Sequence, residues 1–158
     1  LYAEVLQDSA GIKLLHVPYK GEAPAITDLL GGTVDAVFVS AKGVGQHVAA
    51  GQLKSLAVVG TQRAPLASGV PTFKEQAIGQ MESVGWFGIF LPAGTPQSIA
   101  QRLSAEVAKV VKSPEQAPRI EALGVIAVGS TPEQLTATMR ADHERWKEVI
   151  QAKNIPLD

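Results

Sequence analysis

A chain of 158 residues with 46% hydrophobic content is large enough and apolar enough to close a hydrophobic core of ordinary domain size. A formal net charge of −1 with no basic cluster argues against nucleic acid as a partner, because that surface needs phosphate-neutralising lysine and arginine. The absence of cysteine excludes disulfides and thiolate metal sites while leaving the compartment open, and the most apolar stretch, around Trp86 to Leu91, falls far short of the about 20 residues that span a bilayer.

Tyr2 to Gln7 reads as the end of a helix, with Gly11 as its stop. The chain starts at Leu1 with no leader before this segment, so it reads as a processed or truncated product. Ile12 to Val17 is an apolar run fit for a buried strand, which Pro18 ends by removing a donor. Gly21 and Pro24 mark the turn into a helix whose Ala23, Ile26 and Leu30 share a face, and Gly31 and Gly32 can take a left-handed terminal conformation. Val34 to Val39 alternates as a second strand, which makes the whole a βαβ crossover. Val44 to Ala50 predicts a short helix, Leu53 to Val59 a third strand of the same sheet, and Thr72 to Glu75 has capping-box spacing before a short helix to Ala77.

Val84 to Leu91, aromatic and apolar with Gly85 and Gly88 inside it, predicts a strand that packs closely or bends. Thr95-Pro96, Ser113-Pro114 and Thr131-Pro132 each place an N-cap before a proline, and so predict three helices. The first carries Ile99, Leu103, Val107, Val110 and Val111 on one face, and the third carries Leu135, Met139, Trp146, Val149 and Ile150. The middle one is interrupted by Pro118 and stops near Gly124, before a short strand at Val125 to Val128.

Few residues are placed for catalysis. His16, His47 and His143 stand in no nucleophile motif; Asp142 and His143 splay apart on a helix, so a solvated place in the charged run Arg140 to Lys147 explains His143 better than a metal site. Gly43-Val-Gly45 lacks the third glycine of a dinucleotide fingerprint and reads as a flexible loop, so no cofactor is implied. The Tyr19-Lys20-Gly21 loop is the better candidate. The Glu22 to Ala25 turn offers successive N–H donors at the positive end of a helix, and Lys20 adds a charge that suits an organic anion. The same residues also fit a solvent loop with a packed Tyr19 and a surface Lys20. A helix N-terminus contributes about 0.3–2 kcal/mol, whereas micromolar affinity needs about 8 kcal/mol, so one loop is at most one side of a site.

Val17-Pro-Tyr-Lys-Gly21, the Pro24-Ala25 pair and Asp28-Leu-Leu-Gly-Gly32-x-Val-Asp35 resemble the Bug family of substrate-binding receptors of tripartite tricarboxylate transporters. So do Ala50-Gly51-x-Leu53, Leu56-Ala-Val58, Arg63, Val70-Pro-Thr72, Trp86-Phe-Gly88, Pro92-Ala-Gly-Thr-Pro96 and Gly129-Ser-Thr-Pro-Glu-Gln134. The resemblance implies an α/β, periplasmic-binding-protein-like (type II) fold of two lobes and a periplasmic receptor, not an enzyme, that closes over a small carboxylate and delivers it to membrane subunits. Family members are longer, and this sequence corresponds to their C-terminal half.

On that layout, residues 1–83 resemble most of the second lobe, with its parallel sheet, and residues 84–158 the return crossover strand and C-terminal helices of the first. Tyr19, Lys20, Gly21, Glu22, Ala23 and Pro24 would help hold the carboxylate, and Ser40 would face the cleft. Where the family often has an acidic residue near Ser40 and a proline farther on, Val39, Ser40 and Gln46 stand here, which leaves ligand identity open. Trp86, Phe87 and Gly88 would serve a hinge, or in the case of Trp86 and Phe87 simply pack in a core. An incomplete fold of this kind would bury its open faces against the remaining half or against a second copy. The alternatives are a ligand sensor of the same fold feeding a membrane signalling partner and a small α/β enzyme acting on organic acids.

Overall fold

The structure is a computed structural model that describes residues 1–82 and 85–155. Ser83 and Val84 lie outside the described residues, and with them the predicted boundary between 83 and 84 and the first residue of the Val84 to Leu91 strand. The chain divides into two compact units, Leu1–Val84 and Gly85–Asp158.

The first unit contains helices α1 (Tyr2–Ala10), α2 (Glu22–Leu30) and α3 (Ala41–Ala49), with 3₁₀ turns at Pro65–Ala67 and Lys74–Gln76. Gly11 ends α1 in the left-handed conformation, φ 63°, as its place after the periodic residues predicts. At the end of α2 only Gly32 is left-handed, φ 72°; Gly31 stays helical at φ −80°. The amides of Gly32 and Thr33 then donate to Leu29 and Asp28 carbonyls at 3.1 and 2.8 Å, the double bond pattern that satisfies a helix end. The buried face of α2 is Ala25 and Ile26, whereas Ala23 is exposed and Leu30 is 40% exposed. The predicted Ala23, Ile26, Leu30 stripe is therefore rotated: α2 lies beside α3 through Ile26, whose Cδ1 is 3.5 Å from where a Cβ on Gly43 would stand.

Val5, Ala25, Ile26, Phe73 and Met81 are the buried apolar residues among those described, all of them in this unit together with the buried Thr72, and Met81 is the large side chain that is fully enclosed. Tyr2 stacks on Phe38 at 5.9 Å between ring centroids and Phe38 on Phe73 at 6.1 Å, so α1, the run after α2 and the Thr72 turn share one aromatic column. Thr72 and Glu75 form the predicted capping box: the Glu75 amide donates to Thr72 Oγ1 at 3.1 Å and the Thr72 amide to Glu75 Oε2 at 2.6 Å. Arg63 clasps the same carboxylate, Nε at 3.1 Å from both oxygens and Nη2 at 3.0 Å from Oε1.

The Arg63 guanidinium, joined by the Thr72 amide, holds the Glu75 carboxyl below its ordinary pKa of 4.5. A carboxyl with a depressed folded-state pKa stabilises the fold above its unfolded pKa and loses that contribution as the pH falls through the folded value. The contribution of this clasp to the melting temperature should therefore be constant from neutrality to about pH 5 and fall progressively below that. In Glu75→Gln that acid loss should be shallower and the neutral melting temperature lower. Parallel melting curves of parent and variant from neutrality into acid check this, and superimposable curves would show that the clasp contributes nothing.

The predicted sheet differs most. Among the described residues the β-pairing is a single parallel bridge, Val58 to Thr72, with the Val58 amide donating to Pro71 O at 2.9 Å and the Phe73 amide to Val58 O at 3.2 Å. The runs 12–17, 34–39, 53–57, 85–91 and 125–128 carry no ladder. Leu15, Phe87, Ile89 and Val128 are 92%, 89%, 69% and 65% exposed, so these apolar residues have the composition of buried strands without the neighbours. Apolar composition selects a strand only where a second strand supplies its hydrogen bonds, and that partner is not a local property of the sequence.

In the second unit α4 (Gln97–Val111), a short α5 (Ala117–Glu121) and α6 (Pro132–Lys153) all form, and α4 packs along α6. The start of α6 is as predicted and more complete: Pro132 is the first helical residue, the Gln134 amide donates to Thr131 Oγ1 at 3.2 Å, and the Thr131 amide donates back to Gln134 Oε1 at 2.9 Å. Thr95 does not cap α4. Its hydroxyl donates to Pro92 O at 2.8 Å and Pro96 occupies the cap position. Pro118 does not interrupt the middle helix but sits within its first turn, where a missing N–H costs nothing. Of the predicted α4 face, Val107 and Val111 are partly covered while Ile99, Leu103 and Val110 are about half exposed.

Candidate functional site

The loop before α2 is shaped by Gly21, whose φ of 106° and ψ of 176° belong to a region open essentially to glycine alone. That conformation turns the chain from Lys20 into α2 so that the first-turn amides face outward, and no side chain caps them. Pro24 has no N–H, so the donors are the Glu22 and Ala23 amides, fewer than the successive set the turn suggests. Lys20, Gly21, Glu22, Ala23 and Pro24 are exposed and Tyr19 is half-buried.

Tyr19 donates its hydroxyl to Asp28 Oδ2 at 2.7 Å, and this bond to a carboxylate raises the Tyr19 pKa above its ordinary value. Ser40 lies at the N-cap of α3, which begins at Ala41, three residues earlier than predicted. Its Oγ accepts the Gly43 amide at 3.2 Å. Glu22 reaches from α2 to the same point, Oε1 accepting the Ser40 amide at 2.9 Å and Oε2 the Ser40 hydroxyl at 2.8 Å. Gly43 makes room for it: a Cβ there would lie 2.9 Å from Glu22 Oε2. Close packing at the carboxylate, rather than a flexible loop, accounts for the glycine inside a helix.

Glu22 and Ser40 thus meet in one hydrogen-bonded corner between the N-termini of α2 and α3, while Tyr19 is held separately by Asp28, six residues along α2 from Glu22, and Lys20 is exposed in the loop before α2. Two residues behind these contacts escape sequence reading. Asp28 is the acceptor for Tyr19, nine positions away, and Gly43 is the space for Glu22; neither spacing matches a helical or strand period. Trp86, Phe87 and Gly88 fall in the second unit. The Trp86 indole N–H donates to Asp142 Oδ2 on α6 at 2.6 Å, a Cβ on Gly88 would lie 3.2 Å from Leu135 Cδ2, and Phe87, at 89% exposure, is not the core residue its type suggests. Among the described residues no three His, Cys, Asp or Glu side chains gather as a metal-holding group, and no helix is long and apolar enough to cross a membrane. A surface depression of about 340 Å³ beside Pro132, Glu133, Thr136, Ala137 and Arg140 includes none of the predicted site residues.

Comparison with known proteins is consistent across the chain. A UPF0065 protein from the tcbD-tcbE intergenic region of Pseudomonas sp. is 36% identical over 95% of this chain and 45% of its own length. The protein BugT of Bordetella pertussis is 30% identical over 99% of this chain and 48% of its own. Among solved structures, a TctC solute-binding protein from Polaromonas superposes with a TM-score of 0.78 at 35% identity, over 96% of this chain and 52% of that one. MatC from Rhodopseudomonas palustris, solved with bound malate, superposes with a TM-score of 0.69 at 26% identity, over 94% and 52%.

The chain therefore spans about half the length of these relatives, and its fold is that of part of a two-lobed solute-binding protein. The pattern described as the tripartite tricarboxylate transporter family receptor matches residues 1–155, and with the Bug-type relatives it establishes that this chain belongs to that receptor family.

Proposed function

We propose that the protein is a periplasmic solute receptor, not an enzyme, that captures a small carboxylate and presents it to the membrane subunits of a tripartite tricarboxylate-type transporter. The family match over residues 1–155 carries this reading. The corner at Tyr19 to Pro24 and Ser40 supplies one jaw, with the Glu22 and Ala23 amides and the Lys20 ammonium directed at an anion. The malate bound to MatC supports a carboxylate as the ligand class.

In this reading residues 1–83 belong to one lobe and 84–158 contribute to the other, Trp86, Phe87 and Gly88 lie at the crossing between them, and the unladdered apolar runs find their partners in the remaining half of a full-length receptor. One jaw offers about 0.3–2 kcal/mol from its helix end, well below the about 8 kcal/mol of micromolar binding. The complete encoded protein should therefore bind a carboxylate at micromolar or lower Kd in a calorimetric screen of mono-, di- and tricarboxylates, amino acids and aromatic acids. Residues 1–158 alone should bind at least about a hundredfold more weakly. Equal affinity for the two would sink the two-jaw reading, and turnover of an organic acid without reversible binding would favour the enzyme alternative.

A further inference from the structure

The donors at this corner are already engaged by the chain's own carboxylates. Glu22 takes both the amide and the hydroxyl of Ser40 at 2.9 and 2.8 Å, and Asp28 takes the Tyr19 hydroxyl at 2.7 Å. An entering carboxylate therefore finds the N-terminus of α3 filled by a negative charge, while no side chain caps the amides at the start of α2 and Lys20 is exposed beside them in sequence. Gly43 leaves the room this charge occupies, since a Cβ there would lie 2.9 Å from Oε2.

We infer that Glu22 is a specificity-determining residue of this jaw, which admits a ligand with one carboxylate and a neutral or cationic second group in preference to a ligand with a second carboxylate. This rests on the receptor reading above. A single carboxylate is held by the α2 amides and Lys20, and the second group of the ligand then lies within the field of Glu22. An ammonium or hydroxyl there gains a partner, whereas a second carboxylate meets a like charge in a solvent-exposed setting, where screening is strong and the discrimination amounts to about fivefold per charge pair at 4 Å. Glu22→Gln is the informative change. The amide is the same size, its Oε1 still accepts the Ser40 N–H, and its NH₂ can donate to Ser40 Oγ, so the link between the helices is kept while the charge is removed.

The test is calorimetry on the complete encoded protein with chain-matched pairs: succinate against 4-aminobutyrate, and glutarate against 5-aminopentanoate. The parent should prefer the ω-amino acid of a pair, and raising ionic strength from about 20 mM to about 500 mM should narrow that preference. In Glu22→Gln the ratio of the two Kd values should move about fivefold toward the diacid and lose its salt dependence, and Glu22→Asp, which keeps the charge, should restore the parent's ratio. A merely structural role for Glu22 would weaken both members of a pair together and leave the ratio in place, which overturns the inference alone. So would a parent that prefers the diacid at low salt, a result readable even if the glutamine variant does not fold. A parent that binds no member of either pair, nor any carboxylate of the wider screen, overturns the receptor reading and the inference with it.

Discussion

Replacing Gly21 by alanine should weaken carboxylate binding by the complete protein by roughly tenfold or more while leaving it folded. At φ 106° and ψ 176° a Cβ costs about 1–3 kcal/mol. No atom lies within 4 Å of where that Cβ would stand, so the cost is torsional and the chain can relieve it only by turning the 19–22 backbone. That rotation redirects the Glu22 and Ala23 amides and draws Glu22 off Ser40, whose two bonds at 2.8 and 2.9 Å leave little slack. Gly11→Ala is the matched control. Gly11 is also left-handed, at φ 63°, with nothing within 4 Å, but it ends α1 outside the 19–24 loop. The two variants should lose similar stability in urea titrations, and only Gly21→Ala should lose affinity. If both keep the parent's Kd, the 19–24 loop does not bind the ligand.

Features whose partners are three or four residues apart were legible. Thr72 with Glu75, Thr131 with Pro132, and Gly11 after its helix each satisfy orphan groups of the same turn, so type and spacing suffice to find them. Ser40 was not legible as a cap, because Ala41-Lys42-Gly43 places a glycine where a capping box would have Glu or Gln. Thr95 shows the converse failure. It has the right type before a proline, yet its hydroxyl donates to Pro92 O, and a dipeptide pattern does not say whether the side chain lies at a helix amide or at a nearby carbonyl. The Glu22 to Ser40 contact spans 18 positions and arises only when α2 and α3 lie side by side. Strand pairing is less local still. Ile12 to Val17 and Val34 to Val39 have the composition of strands, but a ladder is a property of two segments, and among the described residues only Val58 and Thr72 meet as such a pair.

The second unit offers the other large effect, at Gly129. This glycine is left-handed at φ 57°, and a Cβ on it would lie 3.0 Å from Ala108 Cα, 3.0 Å from Lys112 Cε and 3.1 Å from Val111 Cγ2. Lys112 can move aside, but Ala108 Cα belongs to the backbone of α4 and cannot move without the helix. Alanine at this position costs about 1–2 kcal/mol for the left-handed conformation and about 1–3 kcal/mol for the forced separation. Gly129→Ala should therefore destabilise this unit by about 2–5 kcal/mol, a large part of the 5–15 kcal/mol typical of a domain. Both tryptophans of the chain, Trp86 and Trp146, lie in this unit, so tryptophan fluorescence reports on it alone. In urea the fluorescence midpoint of Gly129→Ala should fall by about 1–2.5 M, taking a slope of about 2 kcal/mol per molar, while the m-value stays the same. Gly94→Ala separates the clash from the left-handed strain, because Gly94 lies in the same unit at φ 88° with nothing within 4 Å, and alanine there should lower the midpoint by less. An unchanged fluorescence midpoint for Gly129→Ala would mean that α4 does not press on the Gly129 turn, and that the half-exposed Ile99, Leu103 and Val110 mark a helix free to shift along its neighbour.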